Sequence, residues 1–171
     1  MKRKTALLLS LVLLLCLLTA GCGGPEDPPF ITITVGETEV PWVIGYNVWD
    51  GAIYDREDSF VYFLDVHTVP DVSVGDVVTI TFARPRYAPD KVQLRDRILR
   101  EDGSGMFDAE VDTKTDLPFV GDTATFVLEP HWAMYLSSDS EAFKDGCLRG
   151  FSFTWNWGGD ECEYAFVLNV Q

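Results

Sequence analysis

The chain has 171 residues, 47 % of them hydrophobic, and a formal net charge of −14. With 27 acidic against 13 basic side chains it holds too few cations to neutralise a run of phosphates, which excludes nucleic acid as a partner. The length is enough for one domain with a substantial core.

The chain opens on Lys2, Arg3 and Lys4, followed by an apolar run over residues 6–18. A basic start and a short apolar run have the form of an export signal. The run stops short of the ~20 apolar residues needed to span a bilayer, and it ends at Thr19-Ala20-Gly21-Cys22. These four residues resemble the lipobox of bacterial lipoproteins. In that family the matching cysteine receives a thioether-linked diacylglycerol, and a dedicated peptidase cuts before it. The resemblance implies that residues 1–21 are a cleaved signal helix, that Cys22 is lipidated, and that the protein is held on the outer face of the cell membrane. One position departs from the family: Thr19 stands where Leu is more common. Ordinary secretion with cleavage near Ala20 or Gly21 is the alternative.

Two acyl chains make such an anchor stable, where one binds only marginally. Residues 22–29 then form the lipidated cysteine and a Gly/Pro/acid tether, and seven extended residues reach at most about 25 Å. From Cys22 onward ten bases face 27 acids, a charge of about −17. An anionic leaflet repels that charge, which keeps the domain soluble and standing off the membrane. With Cys16 in the signal and Cys22 in the anchor, only Cys147 and Cys162 are available for a disulfide.

Residues 30–171 alternate with a period of two. Ile31, Ile33 and Val35 alternate with threonines. Val40, Trp42, Ile44, Tyr46 and Val48 share one parity, and Trp49 is followed by an Asp50-Gly51 turn. After the turn Ser73-Val74-Gly75-Asp76, Val78, Ile80 and Phe82 share one parity; later Ala124, Phe126 and Leu128 do the same. Phe151, Phe153, Trp155 and Trp157 alternate with polar residues, and Tyr164, Phe166, Leu168 and Val170 end the chain. The stretch 137–145 is polar and reads as a loop or a helical turn. Short alternating runs broken by Gly, Pro and Asp turns predict an all-β sandwich of roughly eight or nine antiparallel strands.

Two hairpins can be given a register. Pairing Arg95 with Asp108, Gln93 with Glu110 and Lys91 with Asp112 puts opposite charges on the wet face. The same register puts Leu94 on Ala109 and Val92 on Val111 on the dry face. Asp96 opposite Phe107 fits poorly. A turn at Gly158-Gly159-Asp160-Glu161 pairs Trp157 with Cys162, Trp155 with Tyr164 and Phe153 with Phe166. Cys147 then lies ten residues before Trp157, tens of Å from Cys162 at ~3.3 Å per residue. A disulfide needs Cα atoms within about 7 Å, so hairpin and disulfide exclude each other unless the chain folds back near Gly150.

Phe153-Thr154-Trp155, the Gly-containing turn and Tyr164-Ala165-Phe166-Val167 resemble the closing hairpin of small immunoglobulin-like domains in uncharacterised Gram-positive lipoproteins. Val74-Gly75-Asp76-Val77-Val78 is similar to the Gly-Asp turn of those domains. This resemblance implies an immunoglobulin-like sandwich and an extracytoplasmic address. It implies no known activity.

No catalytic residue is assigned. Only His67 and His131 could serve as a hydrolase base, and neither lies in a nucleophile elbow, a Walker loop or a His-Glu-x-x-His motif. No metal or cofactor is expected, since Asp55, Glu57 and Asp58, like Asp160, Glu161 and Glu163, lack EF-hand spacing. The aromatics Trp49, Tyr54, Trp155 and Trp157 are the possible ligand-binding residues. The parity of Trp155 and Trp157 with Phe151 and Phe153 favours the core, and Trp49 beside its turn is the better candidate for exposure. The aromatic and acidic stretch 49–60 is the expected recognition edge, because loops on a rigid sandwich carry such function. The expected function is a non-enzymatic module that binds a protein or a saccharide at the cell surface. An immunoglobulin-like protease inhibitor and a structural subunit of an envelope complex are the alternatives.

Overall fold

A computed structural model describes residues 27–56, 58–137 and 143–171; the expected signal over residues 1–21 and the anchor Cys22 lie outside them. In chain order the strands are β1 (Ile31–Val35), β2 (Thr38–Val40), β3 (Val43–Trp49), β4 (Ala52–Tyr54), β5 (Asp71–Val72), β6 (Val77–Phe82), β7 (Lys91–Ile98), β8 (Thr113–Pro118), β9 (Thr123–Val127), β10 (Cys147–Trp157) and β11 (Asp160–Val170). Among the described residues one α-helix, α1 (Ser59–Val66), lies between β4 and β5. The strands form two sheets: β2-β1-β6-β9, and β4-β3-β11-β10-β7-β8 with β5 added in parallel at the end of β11. All other pairs are antiparallel. The fold is therefore all-β, with more strands among the described residues than the alternation alone suggests.

The period of two explains the core. Ile31, Ile33, Val35, Val78, Ile80, Phe82 and Ala124 are buried in the first sheet, with Leu128 just beyond β9; Phe151, Phe153, Trp155, Tyr164, Phe166 and Leu168 are buried in the second. They belong to one hydrophobic cluster. Burying each large apolar side chain contributes about 1.5–3 kcal/mol. Residues 164–168 of β11 are buried on both faces, because α1 packs across the outside of β11 and β3. A strand covered on both faces reads as a continuous apolar run rather than an alternating one. Gly150 lies on this covered side: a Cβ there would come within 2.8 Å of the Phe60 ring.

The closing hairpin differs from its expected register by two residues. Trp157 pairs with Asp160, Trp155 with Cys162, Phe153 with Tyr164 and Phe151 with Phe166. The loop is the two-residue turn Gly158-Gly159, whose φ angles of 61° and 108° match the right-handed twist of the strands. A slip of two keeps every side chain on its expected face. Cys147 pairs with Val170 at the far end of the same hairpin, eight residues from the Trp155–Cys162 pair, and both thiols are free and buried.

The β7–β8 register is a larger correction. Arg95 lies opposite Lys114, not Asp108; Val92 lies opposite Leu117, and Leu94 opposite Thr115. Residues 99–112 make a wide excursion before pairing resumes. Its tip is a turn in which the Asp102 carboxylate accepts from the Ser104 backbone N–H at 2.9 Å and the Ser104 hydroxyl at 2.6 Å. A short 3-10 turn follows at Ala109–Val111, and Met106, Phe107 and Val111 pack on Ile98 in a small second cluster. The expected charge matching survives with other partners. Arg97 forks onto Asp112 at 3.0 and 2.8 Å, Arg95 lies 3.8 Å from Asp112, and Lys91 meets Asp116 at 2.7 Å.

β3 departs from its single expected parity because of a bulge. Asn47 pairs with Cys162 and Ile44 with Tyr164, so β3 spends three residues where β11 spends two. An extra residue reverses the facing of everything beyond it. Ile44 keeps to the core side, and beyond the bulge Trp49 takes the inward position.

Candidate ligand-binding edge

The four aromatic candidates do not form one exposed cluster. Trp155 is 2 % exposed and donates its Nε1–H to the Tyr87 carbonyl oxygen at 2.8 Å. Trp49 is 5 % exposed and stacks on Trp155 with ring centroids 5.5 Å apart, so the expected exposure of Trp49 is not found. Trp157 stacks on the same ring at 5.9 Å and reaches the rim, 38 % exposed. The three indoles are a ladder from core to rim. Tyr54 stands apart at 66 % exposure, beside the exposed Ile53.

Tyr54 borders a concavity at the β3–β4 edge. β4 pairs only with Asn47, Val48 and Trp49, so along Val43–Tyr46 no described strand covers the outer edge of β3. A pocket of about 540 Å³ opens there, lined by Ile44, Gly45, Asn47, Tyr54, Asp55 and Arg56 among others. Beside Gly45 the Ser59 hydroxyl donates to Glu163 Oε2 at 2.8 Å, in space that a Cβ on residue 45 would need. The Arg56 guanidinium is drawn over the Tyr62 ring, 3.5 Å from its centroid. Asn47 Oδ1 is shut off from solvent and has no hydrogen-bond partner among the described residues. Leaving a buried acceptor unmade costs about 1–3 kcal/mol. The expected recognition edge 49–60 thus supplies Tyr54, Asp55 and Arg56, whereas Asn47 was on no list of candidates. Its signal is only a polar residue in an apolar-aromatic strand.

A second concavity, about 640 Å³, lies between the sheets, lined by residues of β7, β8, β9 and β10 and by His131 and Trp132. At its floor the buried Arg149 guanidinium grips both oxygens of Asp96 and donates to the Glu129 carbonyl oxygen at 2.6 Å. Neither residue was a candidate. Yet Asp96 shares the parity of Val92, Leu94 and Ile98, and Arg149 that of Phe151, Phe153 and Trp155; two opposite charges on apolar faces are a legible sign of a buried pair.

His131 is buried beside this pair. Its Nδ1 accepts from the Ala133 backbone N–H at 3.1 Å. Its Nε2 lies 3.2 Å from the Asp96 carbonyl oxygen, which can only accept, so Nε2 carries the proton. Thr113 Oγ1 is also 3.2 Å away. A nitrogen that already bears its proton cannot take one from Thr113, so this contact is not a nucleophile–base pair. The network ties residues 129–133 to the second sheet and leaves Trp132 half exposed at the mouth. His67, the other histidine, packs against the Phe63 ring.

Burial pushes the Cys162 thiol up to about 12 and also raises Cys147. Tyr164 is raised as well, first by burial and then by Cys162; its hydroxyl donates to the Pro29 carbonyl oxygen at 2.6 Å. Pro29 is thereby fastened at the end of the sandwich that holds Phe82 and Trp155. Among the described residues no three His, Cys, Asp or Glu side chains are placed to hold a metal ion, and no helix is long and apolar enough to cross a membrane. No protein-family model matches the chain, and no curated protein does.

Proposed function

We propose that the chain is a lipid-anchored, extracytoplasmic binding module on an immunoglobulin-like sandwich, non-enzymatic, with its ligand site at the β3–β4 edge. The observation that carries the binding role is the pocket at the Val43–Tyr46 edge of β3, lined by Tyr54, Asp55 and Arg56 of the expected recognition stretch. The anchor rests on the Thr19-Ala20-Gly21-Cys22 box and the acidic domain behind it. The immunoglobulin-like reading is supported by two antiparallel sheets and by the Gly75-Asp76 turn and the Tyr164-x-Phe166 strand at sheet positions.

Metabolic labelling with a clickable fatty acid tests the anchor. The full chain takes up label and sediments with membranes, and Cys22→Ala abolishes both; label retained by that variant would sink the reading. Screening the full chain in detergent against peptide and glycan arrays tests the module, with Tyr54→Ala as the variant expected to lose binding.

A second reading, the envelope subunit, is favoured by one observation. Trp132, Tyr135 and Leu136 expose large apolar surface on a single 3-10 turn at Trp132–Leu136. It predicts a stable complex lost on Tyr135→Glu, with the β3–β4 pocket unchanged.

A further inference from the structure

We propose that the cavity between the two sheets, separate from the β3–β4 edge, takes a neutral saccharide unit: a pyranose ring with equatorial hydroxyls. The register of the larger sheet carries this. Directly opposed residues of paired strands share a face. Val92 with Leu117, Leu94 with Thr115 and Asp96 with Thr113 therefore form a row on the inner side of β7 and β8. Phe151 continues the row from Asp96 onto β10, and its ring lies 5.5 Å from Phe126 of the opposite sheet. Inner faces of a sandwich normally interdigitate as apolar core. This one is apolar at Val92 and Leu117 and turns polar at Thr115, Thr113 and Asp96, where the cavity of about 640 Å³ opens. Thr115 is exposed there although its partner Leu94 is buried. The volume lies within the ~300–1,000 Å³ usual for small-molecule sites.

The floor is polar without net charge. Arg149 and Asp96 cancel each other, and His131, with its proton on Nε2 and Nδ1 accepting, is neutral. Thr113, Thr115 and Thr125 add hydroxyls, each able to donate one hydrogen bond and to accept two. Such a set answers other hydroxyls. At the mouth Trp132 is 48 % exposed; one face of its ring lies over His131, with the planes 18° apart, and the other is open. An equatorially substituted pyranose has a flat C–H face to lay on an indole and a rim of hydroxyls to turn toward the threonines. An anionic sugar would meet Glu129 at the rim and the chain's net charge of −14. A peptide strand would add through backbone groups at a sheet edge, whereas the polar groups gathered here are side chains on an inner face.

The test is an NMR titration of the full chain in phosphocholine-detergent micelles, read at the Trp132 indole N–H and the Thr115 methyl. The probes are cellobiose, sorbitol, glucuronate and acetyl-tetra-alanine amide. Cellobiose shifts both resonances and saturates. Trp132→Ala weakens it by at least about tenfold, read at Thr115. Thr115→Val keeps the shape, removes the hydroxyl, leaves the thermal midpoint unchanged and weakens cellobiose by about tenfold. Tyr54→Ala leaves cellobiose binding as in the parent. Equal binding of sorbitol, which has the hydroxyls without the ring, would overturn the stacked pyranose. Equal binding of glucuronate would overturn the neutral class. Tighter binding of the peptide, with shifts along the β9 amides, would overturn the saccharide. Cellobiose binding abolished by Tyr54→Ala and untouched by Thr115→Val would move the sugar to the β3–β4 edge and overturn this cavity as its site. No shift with cellobiose would overturn the inference and leave the β3–β4 site standing.

Discussion

Trp49 stacks on Trp155 with their planes 20° apart, although the two strands that carry them, β3 and β10, are not neighbours in the sheet. β11 runs between them, its Cys162 paired with Trp155 on one side and with Asn47 on the other. Removing either buried indole leaves a large cavity. Trp49→Ala and Trp155→Ala should each cost about 3–5 kcal/mol in urea denaturation. Trp157→Ala, at the rim, should cost about 1 kcal/mol or less. Comparable losses at all three positions would mean that the ladder does not run from core to rim.

The Asp96–Arg149 pair makes the sharpest stability test. Asp96→Ala leaves a buried guanidinium with only the Glu129 carbonyl oxygen as its described acceptor, and should cost about 3–5 kcal/mol. Asp96→Leu combined with Arg149→Met removes both charges and should lie closer to the parent than Asp96→Ala alone. Denaturant midpoints of the three proteins decide it. A single variant milder than the double would show that the pair is solvated.

Tyr164→Phe keeps the ring stacked on Phe153 but removes the donor to the buried Pro29 carbonyl oxygen. The expected loss is about 1–3 kcal/mol. Residues 27–29 should also become more susceptible to limited proteolysis than in the parent, a change that mass mapping of the cleavage products detects.

Because burial raises the Cys162 thiol to about 12 from an ordinary 9, the folded state favours the neutral form. Its contribution is complete below about pH 9 and is lost progressively as the pH rises toward 12, where the folded thiol itself ionises. Cys162→Ala should flatten the alkaline fall of the denaturant midpoint across that window. Alkylation mapped by mass should leave Cys147 and Cys162 unmodified at pH 8 until the chain is unfolded.

How much of this was legible can be judged residue by residue. Alternation placed Ile31, Val78 and Phe82 on the core side because one face of each strand is covered and one is not. The paired glycines at 158 and 159 located the closing turn, although they left its register ambiguous by two. Charge matching identified the wet face of β7 and chose the wrong partners, because nothing local announces that residues 99–112 leave the sheet. Trp49 was misplaced by the bulge in β3, which depends on the neighbouring strand and not on β3's own pattern. α1 was hidden because its sequence, Ser-Phe-Val-Tyr-Phe-Leu-Asp-Val, is rich in residues that favour strands. Only the surface of β11 and β3 that it covers makes it a helix. The Asn47 pocket was beyond reach for a similar reason: it exists because β4 ends at Tyr54 while β3 continues.

The fastening of Pro29 also has a mechanical meaning. β1 begins two residues later and lies between β2 and β6, paired with β6 from Ile31–Phe82 to Val35–Val78. A pull on the preceding segment along the strand loads these ladders in shear, so that many hydrogen bonds must fail together instead of unzipping one after another. The Tyr164 hydroxyl passes part of the load to β11, the strand with the most neighbours in the larger sheet. Tension applied ahead of Pro29 is thus carried into the interior of both sheets.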